Sequence, residues 1–78
     1  MKILVTGVNG QLGHDVMNEL YARGHECIGS GSAAAYKGIA DGSAAARLPY
    51  VQMEITDAKQ VNHTMTELRP DAVIHCAA

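Results

Sequence analysis

The sequence predicts an α/β fold in which the strands of one parallel sheet alternate with helices in the order β-α-β-β-α-β. Three observations support this prediction. Short apolar runs are bounded by turn residues, two longer stretches place apolar residues at helical spacing, and a glycine-rich segment joins the first strand to the first helix. We expect this order to form the first half of a doubly wound parallel sheet, and therefore an incomplete one.

The first β-α unit carries the clearest pattern. Residues 2–6 are predicted to be a strand, because their apolar run, residues 3–5, is typical of a strand buried on both faces of a parallel sheet. Residues 11–23 are predicted to be a helix whose core-facing stripe is Leu12, Val16 and Leu20. The side chains expected to face away from the core are His14, Asp15, Asn18 and Glu19.

The remaining elements follow in order. His25 to Gly29 is predicted to be the second strand, and Tyr50 to Ile55 the third. Residues 29–48, rich in glycine, alanine and serine, lack apolar periodicity and are expected to form a surface excursion within the single domain 1–78. Asp57 is placed to cap a second long helix. Ala72 to Cys76 then forms the fourth strand.

The glycine-rich turn reads Thr-Gly-Val-Asn-Gly-Gln-Leu-Gly over residues 6–13. Gly7 would let the chain turn sharply after the strand. Gly10 would let the backbone approach a pyrophosphate, and Gly13 would let the new helix pack closely on the strand. A strand, a glycine-rich turn and a helix in this order predict a dinucleotide-phosphate site of the Rossmann type, whereas an ordinary tight turn would not need three glycines at this spacing.

The beginning of the first helix supplies the anion-binding groups of this predicted site. Backbone N–H groups in a first helical turn lack partners within the helix, and the helix dipole favours a negative charge there. We therefore expect Asn9, Gln11 and Leu12 to contribute through their backbone N–H groups.

Thr-Gly-x-x-Gly-x-x-Gly near the N-terminus resembles the extended short-chain dehydrogenase/reductase family. Its version here, Gly-x-Asn-Gly-Gln-Leu-Gly, is most similar to the dTDP-4-dehydrorhamnose reductases of dTDP-rhamnose synthesis. The resemblance implies a cofactor, NADPH or NADH, and hydride transfer to the keto group of a nucleotide-linked deoxysugar. Two alternatives remain open: a non-catalytic NAD(P)-binding regulatory subunit of the same fold, and a sugar-nucleotide epimerase or dehydratase.

Two later segments also resemble this family. Residues 54–57 resemble Asp-[Ile/Val]-Thr-Asp, which implies that Glu54 and Ile55 contact the adenine, although Glu54 replaces the usual aspartate. The last four residues resemble [Asn/His]-x-Ala-Ala, which implies that Ala77 and Ala78 let the pyrophosphate and nicotinamide ribose pass close to the backbone. The histidine of that motif is expected to be a buried strand residue.

The end of the second strand decides the cofactor in such folds, because an acid there binds the ribose hydroxyls and a cation accommodates a 2′-phosphate. Relatives often carry aspartate where Gly31 stands. Ser30 or Ser32 is predicted to bind either a hydroxyl or a phosphate oxygen, and Lys37 or Arg47 could add charge if the loop folds back. The sequence leaves the choice between NAD and NADP open. It also leaves open that this serine-glycine stretch is a plain loop without a ligand role.

The catalytic set of the family is missing from these 78 residues. The resemblance implies a Tyr-x-x-x-Lys pair, but no tyrosine here is followed by lysine four positions later. The residues at those positions are His25, Ala40 and Glu54. We therefore assign no catalytic residue. We expect the chain to be the N-terminal part of a longer enzyme, and only that longer enzyme would bind the nucleotide-sugar.

Composition excludes several other classes. The net charge of −2 provides no basic footprint for nucleic acid or for an anionic membrane surface, and no apolar run approaches the length of a membrane span. A cytoplasmic location is expected, and oligomer formation remains possible. Cys27 and Cys76 are expected to be buried, reduced thiols separated by the first strand. The histidines have no metal-ligand spacing, so no metal is predicted.

Overall fold

The computed structural model describes residues 1–76 and confirms the predicted α/β fold of parallel strands and interleaved helices. Ala77 and Ala78 lie outside the described residues. The elements are β1 (Lys2–Thr6), α1 (Gln11–Ala22), β2 (Glu26–Gly31), α2 (Ala44–Arg47), β3 (Tyr50–Gln52), α3 (Ala58–Leu68) and β4 (Ala72–His75).

The four strands are parallel and lie in the spatial order β3-β2-β1-β4. β1 is therefore an inner strand, and its Val5 pairs in register with Gly29 of β2 and with Ile74 of β4. This position explains why Ile3, Leu4 and Val5 are all apolar and buried, since both faces of β1 are covered. The carboxyl ends of all four strands meet at one edge of the sheet, where open α/β sheets bind their ligands.

Successive residues of β1 point to opposite faces of the sheet, so the protein has a core on each side. Ile3 and Val5 face the α1 side, and Leu4 faces the α3 side. The buried members of the first core are Ile3, Val5, Val8, Met17, Cys27 and Ala45. Those of the second are Leu4, Ile28 and Met53, with Val61, Met65 and Leu68 of α3 packed against them.

The predicted core stripe of α1 is partly wrong. Leu12 is 63% exposed, whereas Met17 and His14 are buried, at 1% and 4% exposure. The close approach of Gly13 to the turn after β1 sets the rotation of the helix. Since Met17 lies four residues after Gly13, it falls on the same face, toward the sheet, while Leu12 is turned away.

His14 is buried because the segment after β2 packs over it. Its Nε2 lies 3.0 Å from Asp41 Oδ2, and its Nδ1 lies 3.3 Å from the Tyr36 hydroxyl. Asn18, one turn along α1, accepts a hydrogen bond from the Ala45 amide at 2.8 Å. Burial raises the pKa of the Tyr36 hydroxyl, and the nearby charge of Asp41 raises it further. These contacts hold α2 and the chain before it against α1.

β3 is shorter than predicted and β2 is longer. β2 continues to Gly31, and β3 ends at Gln52, although the Met53 amide still donates to the Gly31 carbonyl at 2.8 Å. The chain then turns into α3, where Asp57 accepts from the Lys59 and Gln60 amides at 3.0 and 3.4 Å. The predicted cap of this helix is confirmed.

Replacing Asp57 by alanine should lower the free energy of unfolding by about 1 kcal/mol, because two amides of the first turn of α3 lose their acceptor. Thermal unfolding followed by circular dichroism measures this loss. Asp57→Asn is the matched control, since the amide oxygen retains the acceptor and the variant should unfold close to the wild-type temperature. Equal losses in the two variants would contradict a capping role.

The two cysteines are free thiols. Cys27 lies on β2, opposite Ile3 of β1, and Cys76 follows β4 on the other side of β1. The predicted separation by the first strand is confirmed, and burial raises the pKa of both thiols. Cys27 is buried and Cys76 only half-buried.

The helices are short, and α1, with 12 residues, is the longest in the described part of the chain. No helix formed by residues 1–76 combines the length and apolar character needed to cross a bilayer.

Candidate functional site

A groove of about 240 Å³ lies at the carboxyl ends of β1, β2 and β3. Backbone and side chains of three segments form its walls: the turn after β1, the end of β2 and the residues after β3. The lining residues are Thr6, Gly7, Asn9, Gly10, Ser30, Gly31, Ser32, Met53, Glu54 and Ile55.

The turn after β1 is fixed to the neighbouring strand by backbone hydrogen bonds. Gly7 has a φ of 72°, in the left-handed region that a side chain disfavours. This conformation directs the amides of Gly7 and Val8 to the Ser30 carbonyl, at 2.9 and 3.2 Å. The turn therefore begins from a rigid base at the end of β2.

The other two glycines of the motif have different surroundings. A Cβ at Gly13 would overlap the Gly7 carbonyl oxygen, so this position has no space for a side chain. At Gly10 the nearest such contact is 3.7 Å, again with the Gly7 oxygen, and φ is −93°. The protein itself therefore has room for a side chain at Gly10, and the space beside it opens into the groove.

The first turn of α1 is left without a side-chain cap. Gly10 occupies the N-cap, no side chain caps the helix, and the first turn carries no acidic residue. The Gln11 side chain turns toward Asp15, to which its Nε2 donates at 2.9 Å. The uncapped, electropositive end of α1 is therefore available to an anion in the groove. The N-terminus of α3 differs, since the Asp57 carboxylate caps it.

Ser30 is a groove-lining residue with an unsatisfied hydroxyl. The residue is fully buried, with 0% exposure, and its Oγ has no hydrogen-bond partner among residues 1–76. A buried hydroxyl without a partner costs free energy unless something outside the protein satisfies it. Since Ser30 lines the groove, a polar ligand there is the natural partner.

Asn9 acts through its side chain, a role that the sequence did not predict. Its Oδ1 accepts from the Lys37 amide at 2.7 Å, and its Nδ2 donates to the Tyr50 hydroxyl at 3.4 Å. The Tyr50 hydroxyl in turn donates to the Ala33 carbonyl at 2.7 Å. Asn9 thus connects the glycine-rich turn to β3 and to the chain after β2.

Glu54 and Ile55 form the wall after β3. Glu54 Oε1 accepts from the amide and the hydroxyl of Thr56, at 3.3 and 3.2 Å, and its own amide donates to Gln60 Oε1 at 2.9 Å. Ile55 is 37% exposed. This wall therefore combines an oriented carboxylate with an exposed apolar side chain.

The structure brings together six of the predicted site residues as groove lining: Gly7, Asn9, Gly10, Ser30, Glu54 and Ile55. Gln11 and Leu12 begin α1 beside the groove, and Gly13 lies beneath the turn. The predicted Ala77 and Ala78 lie outside the described residues. Ser32, the alternative to Ser30 in the sequence, also lines the groove. The sequence did not identify three further lining residues, Thr6, Gly31 and Met53, as site residues.

The expectation that His75 is a buried strand residue is wrong. It is exposed, because β4 pairs on one side only, with β1, among the described residues. Its Nδ1 lies 2.7 Å from the Thr6 hydroxyl oxygen, which also accepts from the Cys76 amide at 3.2 Å. This pairing fixes the carboxyl end of β4 against that of β1.

Across residues 1–76, no group of three or more His, Cys, Asp or Glu side chains is arranged to hold a metal ion.

The residues of the groove fit a dinucleotide. An open helix N-terminus suits a pyrophosphate, Gly10 leaves the backbone accessible, and the unpartnered Ser30 hydroxyl suits a ribose or phosphate oxygen. The exposed apolar side chain of Ile55 gives the wall after β3 a surface suited to a planar base.

Comparison with known proteins gives a family and several relatives. The family model described as the RmlD substrate binding domain matches residues 1–78. Methionine adenosyltransferase 2 subunit beta is 29% identical over 77 residues in Pongo abelii and 27% identical in Bos taurus. Each alignment covers 99% of this chain and 20% of the relative, so the chain spans about a fifth of the length of these relatives.

Solved structures with the same fold include two complexes with NAD. The UDP-glucose 4-epimerase of Thermus thermophilus, in complex with NAD, is 30% identical with a TM-score of 0.77; the match covers 100% of this chain and 24% of that one. The Bordetella bronchiseptica enzyme WbmH, in complex with NAD+, is 31% identical with a TM-score of 0.72. This match covers 99% of this chain and 25% of the WbmH chain. The chain therefore spans about a quarter of these structures.

Proposed function

The chain belongs to the family described as the RmlD substrate binding domain, and from this membership we propose that its groove binds a nicotinamide dinucleotide, NADPH or NADH. We further propose that the protein is a cytoplasmic reductase that transfers hydride to the keto group of a nucleotide-linked deoxysugar, as in dTDP-rhamnose synthesis. Residues 1–78 would be the N-terminal part of its dinucleotide-binding domain, with 29–48 as a surface excursion.

One observation carries the binding proposal: Ser30 lines the groove, and its buried hydroxyl has no partner in the described part of the chain. Gly10, the uncapped N-terminal residue of α1, lines the same groove, so a hydroxyl and an anion site belong to one groove. The two solved structures that are 30% and 31% identical are complexes with NAD, which supports the same ligand class here.

The bound cofactor would supply the hydride, and the residues of this chain would hold its adenosine and pyrophosphate part. Amides in the first turn of α1 would bind the pyrophosphate, and Gly10 would allow it to approach. Glu54 and Ile55 would contact the adenine. Because no Tyr-x-x-x-Lys occurs in the 78 residues, we assign the proton donor for the substrate carbonyl, and the nucleotide-sugar site, to a longer protein.

A second candidate function has its own support. The curated relatives are named as the beta subunit of methionine adenosyltransferase 2. A non-catalytic, NAD(P)-binding regulatory subunit would use the same groove. An epimerase or dehydratase is favoured only by the names of solved neighbours such as the UDP-glucose 4-epimerase.

Isothermal titration calorimetry of the protein and of Ser30→Ala with NADPH and NADH tests the binding proposal. We expect saturable binding to the wild type and about tenfold weaker binding to the variant, because one hydrogen bond to the ligand is lost. Thermal stability of Ser30→Ala should be unchanged or higher, since a buried unpaired hydroxyl is removed. Absence of binding to the wild type, or equal affinities, would contradict the role of this groove.

Reductase and regulatory subunit can then be distinguished with the full-length protein. The reductase should oxidise NADPH when a dTDP-linked 4-keto-6-deoxysugar is added, and the loss of NADPH absorbance reports the reaction. A protein that binds the cofactor but leaves it unoxidised in the presence of this substrate would favour the regulatory candidate.

A further inference from the structure

We propose that His14 is a pH-sensitive latch for the strap, the segment of residues 32–43 that joins β2 to α2. When protonated, His14 holds Asp41 and closes the strap over α1; when neutral, it binds Asn18 in place of Asp41 and releases the strap. The latch lies on α1, and its action does not depend on which ligand the groove binds.

His14 is a buried histidine with polar neighbours at both ring nitrogens. It is 4% exposed, although it lies near the beginning of α1. Its Nδ1 lies 3.3 Å from the Tyr36 hydroxyl oxygen. Its Nε2 lies 3.0 Å from Asp41 Oδ2 and 3.2 Å from Asn18 Nδ2. Each of these contacts needs one donor and one acceptor, so the neighbours decide where the ring carries its protons.

The Tyr36 hydroxyl fixes a proton on Nδ1. This hydroxyl has one hydrogen, which it donates to the Ile39 carbonyl at 3.1 Å. Its oxygen can therefore only accept from His14, and Nδ1 must be the donor. Burial, and then the charge of Asp41, raises the pKa of Tyr36, so the hydroxyl keeps its hydrogen. The nitrogen that gains and loses a proton is consequently Nε2.

Nε2 faces a donor on one side and an acceptor on the other. Asn18 Oδ1 accepts from the Ala45 amide at 2.8 Å, so it is the Asn18 NH₂ group that meets the ring. With a proton, Nε2 donates to the Asp41 carboxylate in a charge-assisted hydrogen bond. Without it, the nitrogen lone pair accepts from Asn18 and repels the carboxylate oxygen. One proton therefore decides which neighbour His14 binds.

Asp41 is held as a carboxylate by its own surroundings. The Ser43 amide donates to Asp41 Oδ1 at 2.9 Å. Hydrogen bonding from Ser43, and to a smaller extent the adjacent His14, holds the pKa of Asp41 below its ordinary value. The acceptor of the latch is thus charged throughout the range in which a histidine titrates.

The other charged or titratable groups on the packed elements are engaged elsewhere or exposed. Asp15 of α1 accepts from Gln11 Nε2 at 2.9 Å, and Arg47 of α2 donates to the Gly42 carbonyl at 3.0 Å. Lys37 of the strap is exposed. On the sheet side, burial raises the pKa of the Cys27 thiol, and the Tyr50 hydroxyl donates to the Ala33 carbonyl at 2.7 Å. Asp41 is therefore the charge that answers a proton on His14.

The direction of the pH dependence follows from where the additional proton is bound. The closed strap holds the protonated ring, so falling pH favours closure and rising pH favours release. Histidine side chains ordinarily gain this proton near about pH 6.5, and aspartates lose their charge near about pH 3.9. The strap should therefore be closed in mild acid, open as pH rises through neutrality, and open again only in strong acid.

The strap also contacts the groove. The Lys37 amide donates to Asn9 Oδ1 at 2.7 Å, and Asn9 lines the groove. The Tyr36 ring packs edge-to-face against that of Tyr50, with 6.4 Å between the ring centroids. Release of the strap weakens the hold on Asn9, so the latch connects pH to a side chain of the groove.

Nitrogen-proton spectra of the histidine rings, recorded on the protein without ligand from about pH 5 to about pH 8, test the latch directly. We expect His14 Nδ1 to keep its proton throughout while Nε2 loses its proton, and the Asn18 side-chain amide to shift with the same midpoint. Over this range, hydrogen-exchange protection of the Lys37 amide, corrected for intrinsic exchange, should fall about tenfold, the scale of one charge-assisted hydrogen bond.

Added salt provides a further readout of the same contact. The Asp41 side chain is 43% exposed, so mobile ions can screen its attraction to the ring. The change in Lys37 protection between the two ends of the titration should therefore be smaller at high ionic strength.

Two variants act on opposite sides of the ring. Asp41→Asn removes the carboxylate, so protection of the Lys37 amide should become independent of pH. Tyr36→Phe frees Nδ1, so a neutral His14 can carry its proton on Nε2 and keep Asp41; the histidine should still titrate, but protection should change little. His63→Gln is the control, because it removes an exposed histidine of α3 and should leave the wild-type pH dependence in place.

Three results would overturn the latch: a neutral His14 that carries its proton on Nε2, constant protection of the Lys37 amide across the titration, and a wild-type pH dependence in Asp41→Asn. The first two are measured on the wild type and do not require that any variant folds. Since no dinucleotide is present, failure of the latch leaves the proposed function untouched, and failure to bind a dinucleotide leaves the latch untouched.

Discussion

Replacing Gly10 by valine is expected to reduce dinucleotide affinity by about a hundredfold or more while the protein remains folded. The reason is the position of Gly10 at the N-cap of α1, where it lines the groove. A branched side chain there would hold a pyrophosphate away from the helix amides. The nearest protein atom to a Cβ at this position is 3.7 Å away, so the fold has room for a side chain.

Calorimetry measures the loss of affinity, and circular dichroism measures the fold of Gly10→Val. Exchange of the N-cap glycine should cost about 1 kcal/mol of stability or less. Ala22→Val is the matched control, since it adds a β-branched residue at the exposed opposite end of α1 and should leave binding unchanged. Wild-type affinity in Gly10→Val would show that the ligand does not approach this turn.

Gly13→Ala, unlike Gly10→Val, is expected to destabilise the fold itself, lowering the free energy of unfolding by about 3 kcal/mol or more. A Cβ here would overlap the Gly7 carbonyl oxygen and would lie 2.8 Å from Val8 Cα. Both contacts are with backbone, so α1 must move away from the turn to accept one methyl group. Denaturant unfolding measures the loss.

Gly10→Ala is the matched control for this second prediction, because it adds the same methyl group to the same motif in open space. It should unfold near the wild-type midpoint. Similar midpoints for Gly13→Ala and Gly10→Ala would contradict the assigned packing role of Gly13.

Much of the fold could be predicted because local sequence reports it directly. The apolar run of β1 and the glycines that follow it depend on neighbouring residues only, and so does the Asp57 cap of α3. The strand order follows from the general behaviour of β-α-β units. The ends of the strands were predicted less accurately. Relative to the prediction, β2 is two residues longer at its carboxyl end and β3 is three residues shorter at its carboxyl end.

The α1 face was predicted incorrectly for a specific reason. Apolar periodicity selected Leu12, Val16 and Leu20, but the close contact at Gly13 rotates the helix so that Met17 packs inward. A periodicity analysis gives no weight to glycine packing. His14 illustrates the same limit, because the segment that buries it lies more than twenty residues later in the chain.

The site was predictable where its residues belong to a local motif, as with Gly7 and Gly10 of the turn. It was not predictable where distant residues meet. Asn9 and Tyr50 are 41 positions apart, and only the register of β2 and β3 brings them together. The Lys37 amide likewise donates to the Asn9 side chain, a contact that no spacing in the sequence indicates.

An amide nitrogen-proton spectrum of the protein during titration with NADPH locates the dinucleotide site residue by residue. Saturable shifts are expected at the groove, namely at Gly7, Asn9, Gly10, Gln11, Ser30 and Ile55. Amides on the outer surface of α3, such as those of Asn62 and His63, should stay in place. Shifts confined to α3, or no shifts at saturating NADPH and NADH, would contradict a dinucleotide site at the carboxyl ends of these strands.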